Sequence, residues 1–353
     1  MIAIAPTRLR HVTWLAATLL LAGAAATACS PAQANSGRTQ TTQPASAPRA
    51  GSTGPASLAG VTLHVGDQAG AGSQALLTAA GLIGKLPFKV DWSDFTAGPP
   101  MLQAMSAGAV DIGAVGDAPP VFAAAGGSRI AVVSALRANP LGTAILVPAN
   151  SPIHTLAQLR GKRIAVTQGS ASDYHLLAVL SKAGLSIHDV TPDYLLPPEA
   201  QAAFSAHQVD AWDIWSPFIE QAQAQDHARV LVAGTGLGST YSFVVASRTA
   251  LANPATAHAI GDYLRLLDQA YRWAAGHPAA WAASWAKASG LPTSVMLAAV
   301  RNSLTTPAPI TPAVISSEQA VANSFTAAGL IPGRVDFANF AVTTYNNVLG
   351  GTS

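Results

Sequence analysis

Three short glycine-rich turns carry the residues best suited to chemistry: Gly66-Asp-Gln-Ala-Gly70, Gly116-Asp-Ala-Pro-Pro120 and Gln168-Gly-Ser-Ala-Ser172. Each follows a strand-like apolar run and precedes a helix-like stretch. In an α/β sheet, ligands bind outside the carboxyl ends of strands. The helix that follows offers unpaired backbone N–H groups and the positive end of its dipole. Glycine lets the backbone approach a ligand closely, and Pro119 or Pro120 fits a first helical turn. Ser170 and Ser172 can cap a helix or donate to an anion. The chemistry this pattern offers is capture of a small anion. Any one such turn alone reads as an ordinary capped connection, and it is the set of three that points to a site.

Catalytic patterns are poor. The nine histidines are scattered, with no H-E-x-x-H and no tight metal-ligating cluster. There is no G-x-S-x-G, no phosphate loop and no complete G-x-G-x-x-G, so nothing calls for a nucleotide, metal or other cofactor. His175 is the one candidate base, although a satisfied core or surface histidine is the commoner role. Asp210, Asp213 and Glu220 make no convincing carboxylate pair from spacing alone.

The elements around these turns alternate. Strands are expected at Val61–Val65, Phe88–Trp92, Val110–Val115, Arg129–Ala135 and Gly142–Val147, with helices at Gln74–Leu82, Met101–Ala107 and after Pro120. A second set follows: strand Arg163–Thr167, helix Tyr174–Ala183, strand Val190–Leu195, helix Glu199–Ser205, then strands Ala211–Trp215, Arg229–Val232 and Tyr241–Ser247. The alternation implies α/β architecture with parallel sheets covered on both faces. Beyond it, Ile260, Tyr263, Leu264, Leu267 and Tyr271 fall at helical spacing, and Gly276 stops the run. Trp281 and Trp285, four apart on the next helix, read as packing residues.

The amino terminus has a different character. Arg8 and Arg10 precede the apolar run Val12–Ala26, and Ala26-Thr27-Ala28-Cys29 follows, as in a signal peptide with its small-residue cleavage site. The run is short for a membrane span. Cys29 is the only cysteine, so no internal disulfide forms. Residues 30–57 lack any large apolar side chain and read as a disordered tether. Half of the 353 residues are hydrophobic, enough for real cores. Without Arg8 and Arg10, the 19 Lys and Arg fall level with the 17 Asp and Glu. No basic run exists to engage nucleic acid. An anion would have to be held by hydrogen bonds and local dipoles.

Five segments carry a resemblance. They are Phe95-Thr-Ala-Gly-Pro-Pro-Met-Leu-Gln-Ala-Met105, Val110-Asp-Ile-Gly-Ala-Val-Gly-Asp-Ala-Pro-Pro-Val-Phe122, Asn150-Ser-Pro-Ile153 with Leu159-Arg-Gly-Lys162, Gln168-Gly-Ser-Ala-Ser172, and Val209-Asp-Ala-Trp-Asp-Ile-Trp-Ser-Pro-Phe218. In this order they resemble the aliphatic-sulfonate-binding proteins of ABC importers, within the wider nitrate, sulfonate and taurine group, from about Leu58 to Phe340. The resemblance implies a type II periplasmic-binding-protein fold, with two α/β lobes joined by two crossovers near Ala144–Ala149 and Phe243–Ser247. Residues 58–146 and 244–353 would form the first lobe with its C-terminal helices, and 147–243 the second. A monomer would carry an alkanesulfonate or taurine to a permease, and Cys29 resembles a lipobox cysteine that would anchor it to the membrane by lipid.

Carried over by position, Gln68, Gly116 and Asp117 would line the cleft from the first lobe. Ser170, Ala171 and Ser172 would meet the sulfonate from the second, with Trp212 packed on the alkyl chain and Trp215 beside it. Three departures bear on the ligand. Ala69 stands where the family often has Lys. Asp213 replaces a small residue and would pair with an ammonium if it faces the cleft. Tyr241-Ser242 replaces small residues and would narrow the pocket. Nitrate, a thiamine-pyrimidine precursor and an aromatic sulfonate are alternative ligands. A sulfinate desulfinase shares this scaffold but uses a cysteine nucleophile, and here the only cysteine lies outside the expected folded region.

Overall fold

The computed structural model describes residues 58–68, 72–237 and 240–349. The expected signal peptide, Cys29 and the tether lie outside these residues, as does Ala69.

The chain opens with strand β1 (Thr62–Gln68), helix α1 (Ser73–Ala79), β2 (Lys89–Phe95), α2 (Gly98–Ser106), β3 (Ile112–Val115), α3 (Ala118–Ala125) and β4 (Ile130–Arg137). It then builds β5 (Thr143–Val147), β6 (Arg163–Val166), α4 (Ala171–Lys182), β7 (Thr191–Tyr194), α5 (Pro197–Ser205), β8 (Ala211–Trp215), α6 (Phe218–Gln225) and β9 (Arg229–Ala233). It finishes with β10 (Tyr241–Ser247), α7 (Arg248–Ala252), α8 (Pro254–Gly276), α9 (Pro278–Ser289), α10 (Thr293–Ser303), β11 (Thr306–Ala308) and α11 (Pro312–Ala327). No helix of the described residues is long and apolar enough to cross a membrane.

Two sheets result, with strand orders β11-β4-β10-β3-β1-β2 and β7-β6-β8-β5-β9. The expectation of parallel sheets needs correction: both are mixed. β1 pairs parallel with β2 and β3, and β6 with β7 and β8. β10 runs antiparallel to β3 and β4, and β5 to β8 and β9. The cause is connectivity. β5 and β10 are reached directly from the other sheet, without the crossover helix that a parallel return needs. β4 and β5 lie in different sheets, as do β9 and β10, so the chain leaves one sheet for the other after Arg137 and after Ala233, a few residues before the crossings expected from the sequence.

Packing follows the apolar pattern. β3 and β4 read almost continuously apolar and are buried along nearly their whole length, as central strands must be. One face of the first sheet packs against α1 and α8–α10 through residues such as Leu63, Leu77, Ile260 and Leu267. Met101 and Met105 of α2 cover the other face with Phe243 and Phe337. A Cβ on Gly66 would stand 2.7 Å from Met101, so the sheet is glycine where α2 presses closest. Residues of α3 and α11 also meet α4 of the second sheet: the Phe122 and Phe325 rings are 4.8 Å apart, and Tyr174 packs 6.0 Å from Phe325. Farther round, Asn302 on α10 donates to Glu220 on α6 at 2.9 Å.

Candidate functional site

The strand ends of the two sheets face one another across a cavity of about 220 Å³. Gln68 at the end of β1, Gly116 and Asp117 after β3, Ser170 and Ala171 at the start of α4, Trp215 at the end of β8 and Tyr241 opening β10 all line it. The turn after β3 and the start of α4 nearly touch, since a Cβ placed on Gly116 would lie 2.8 Å from that of Ala171. Gly169 has φ 67°, and a Cβ there would meet the Phe122 ring at 2.9 Å, so the turn needs glycine twice over.

The helix starts are not equally open. Asp67 caps α1 from the end of β1, accepting from the N–H groups of Ser73 and Gln74 at 2.9 and 3.0 Å as well as from Gln68. Burial nevertheless raises its pKa against the pull of those donors. Asp117 accepts from Ala118 N–H at 2.8 Å at the start of α3. At α4 the side chain of Asp173 takes the Gly169 N–H at 2.8 Å, while the backbone N–H groups of Ala171 and Ser172 have no acceptor among the described residues. The α4 start is therefore the one that offers donors and a dipole to a bound anion. Burial pushes the Asp173 carboxyl up to about 7, opposed by the Gly169 N–H and reinforced by the Asp213 charge.

Several expected roles change. Ser170 donates its hydroxyl proton to the Thr167 carbonyl at 2.6 Å, so Ser172, 2.9 Å away, is the donor between the two hydroxyls. Neither side chain is free to donate to an anion, and Ser172 is fully buried and does not line the cavity. Trp212 also stays out. β-strand alternation turns it into the core between Phe204 and Phe218, at 5.9 and 6.2 Å, so it cannot pack on a ligand chain. Trp215 is the tryptophan of this strand that lines the cavity.

Asp213 faces neither the cavity nor solvent. Both its oxygens lie 2.9–3.0 Å from His175 Nδ1, and the pair is buried. Its commitment to His175 removes the ammonium partner that a strand-end aspartate could have been. Burial pushes Asp213 up to about 6, with His175 opposing. His175 itself lines the cavity. Gln68 lines it too, with its side-chain N–H donated to the Ala114 carbonyl at 2.6 Å. Tyr241 and Ser242 both line the cavity, the former under the Arg137 guanidinium.

Sequence reasoning passed over the inner wall. Trp281 and Trp285 are buried and stacked, 5.2 Å apart and 9° from parallel, and both line the cavity with Leu76, Tyr271 and Val300. The helix that bears them, α9, is otherwise mostly alanine, which leaves two indoles as its only large surface. That contrast was the available signal.

Two α/β lobes, each with a mixed sheet and strand ends turned to a shared cleft, define the periplasmic-binding-protein architecture of type II. A family profile described as NMT1/THI5 like matches residues 96–281. An aliphatic sulfonates-binding protein of Escherichia coli (strain K12) is 37% identical over 278 residues, 78% of this chain and 86% of its own length. Among solved structures, the alkanesulfonate-binding protein SsuA from Xanthomonas axonopodis pv. citri bound to MOPS aligns with TM-score 0.75 and 37% identity, covering 80% of this chain and 99% of that one. The periplasmic aliphatic sulphonate binding protein SsuA from Escherichia coli aligns with TM-score 0.70 and 35% identity, covering 79% and 91%. The chain belongs to the NMT1/THI5-like family, in its aliphatic-sulfonate-binding branch.

Proposed function

We propose that this protein captures an alkanesulfonate outside the cytoplasm and delivers it, chemically unchanged, to the permease of an ABC importer. The observation that carries this reading is the approach of the Gly116 turn to the start of α4 across one cavity. A sulfonate head group placed there meets the Ala171 N–H at the start of α4, while Trp215, Tyr241 and the Trp281–Trp285 wall surround an organic tail. Relatives named for binding aliphatic sulfonates support the ligand class. Cys29, after the apolar run, is the residue proposed to bear a lipid that keeps the protein at the membrane face. A desulfinase reading would need a cysteine at the cavity, and the single cysteine of the sequence lies far before it.

Calorimetric titration tests the assignment. Heat with ethanesulfonate and unchanged ligand on recovery support it. Saturable binding of nitrate with no response to any sulfonate, or turnover of a sulfinate, overturns it.

A further inference from the structure

No Lys or Arg lines the cavity among the described residues, yet one nitrogen base does. His175 sits on α4, one turn beyond the N–H groups offered to the ligand. The residue is only 2% exposed, and its Nδ1 is held by Asp213 on β8. Its Nε2 is buried and has no hydrogen-bond partner among the described residues. A wholly buried carboxylate is costly unless a cation answers it, and among the described residues His175 is the only side chain that bonds to Asp213. The pair is thus an oriented dipole with its positive end on the imidazole, which lines the cavity.

We propose that His175, oriented by Asp213, is the specificity residue for the anionic head group: it is protonated in the complex and donates from Nε2 to a sulfonate oxygen. This rests on the sulfonate-capture reading above. It replaces the sequence-based expectation that dipoles and neutral donors alone hold the anion. A sulfonate stays ionised throughout the working pH range, so the proton in the complex belongs to the histidine.

The surroundings agree. Burial pulls the His175 pKa down, but the charge and hydrogen bond of Asp213, the charge of Asp117 and the Ala233 carbonyl outweigh it, and the net shift is upward. Asp213 faces the ring from β8, Asp117 from the start of α3 and the Ala233 carbonyl from β9. Asp173 lies on the same helix, and on α11 burial and the Asp117 charge push the Glu318 carboxyl well above its ordinary pKa. Binding a second anion beside Asp213 raises the His175 pKa further. Affinity is therefore full below the ligand-free pKa of His175 and falls as pH rises through and above it, by up to about tenfold per pH unit for one linked proton.

The test is calorimetry on the full chain with ethanesulfonate between pH 6 and 9, in two buffers of different ionisation enthalpy. Expected are weakening affinity at high pH and net proton uptake on binding. His175→Gln should bind at least tenfold more weakly at pH 6.5 and lose both the pH dependence and the proton uptake. Asp213→Asn should shift the fall in affinity to lower pH. Tight, pH-independent binding with no proton uptake by the unaltered protein would overturn this inference and leave the sulfonate reading intact. No heat with any sulfonate at any pH would overturn both. The wild-type proton count does not depend on whether either variant folds.

Discussion

At the scale of single residues, Gly116 and Ala171 set how closely the lobes meet. Gly116→Ala introduces a methyl 2.8 Å from the Ala171 Cβ, and neither group can swing away. Ligand affinity should fall by about tenfold, equivalent to ~1.4 kcal/mol, with little change in unfolding midpoint. Adding Ala171→Gly should restore it, and titration of the single and double variants checks both statements. Glu318 makes a second case. It is fully buried, and neither carboxylate oxygen has a partner among the described residues. Its pKa lies well above the usual range, so the folded protein keeps a proton that the unfolded chain gives up above its ordinary pKa. Stability from this group is present at low pH and is lost as pH rises. Glu318→Met should therefore stabilise the protein by about 1–3 kcal/mol, more at pH 8 than at pH 5, as read from urea unfolding at each pH. Neither effect was legible beforehand. A glycine or a glutamate has the same letter whether it faces water or another side chain.

At the scale of elements, the start of α1 is closed by Asp67 and the start of α4 is open. Asp67→Ala should cost about 1–2 kcal/mol by releasing the Ser73 and Gln74 N–H groups, seen as a lower urea midpoint. Most strands and helices were legible because their period and their Gly and Pro stops are local signals: β8 and β10 fall where the apolar runs put them. Helix α6 and strand β11 were not. Phe218–Gln225 follows Ser216-Pro217 without an apolar stripe, and Thr306–Ala308 is too short for alternation to register. The turns that build the site were legible as glycine-rich βα connections. Which hydroxyl faces the ligand was not, because Ser170 and Ser172 differ only in three-dimensional partners, and Trp212 and Trp215 differ only in which side of β8 they leave.

At the scale of the whole molecule, the proposed ligand site lies between two separately cored halves. A ligand that bridges them stabilises the folded state by mass action, so ethanesulfonate at a hundred times its dissociation constant should add about 2.7 kcal/mol to the unfolding free energy. The rise should be absent with ethyl methyl sulfone, a neutral analogue that keeps the shape and removes the charge. Interlobe contacts such as Asn302 to Glu220 and Tyr174 to Phe325 lie outside the cavity.

The first sheet also has a history written into its order. β10 lies between β3 and β4, which share no hydrogen bonds of their own. During synthesis, everything up to β9 can emerge before the strand that joins these two appears. A nascent chain ending short of Tyr241 has a seam down its largest sheet, whereas the second sheet, contiguous from Thr143 to Ala233, is complete. Such a polypeptide finishes late, because the strand that closes the larger sheet is made after the whole of the smaller one.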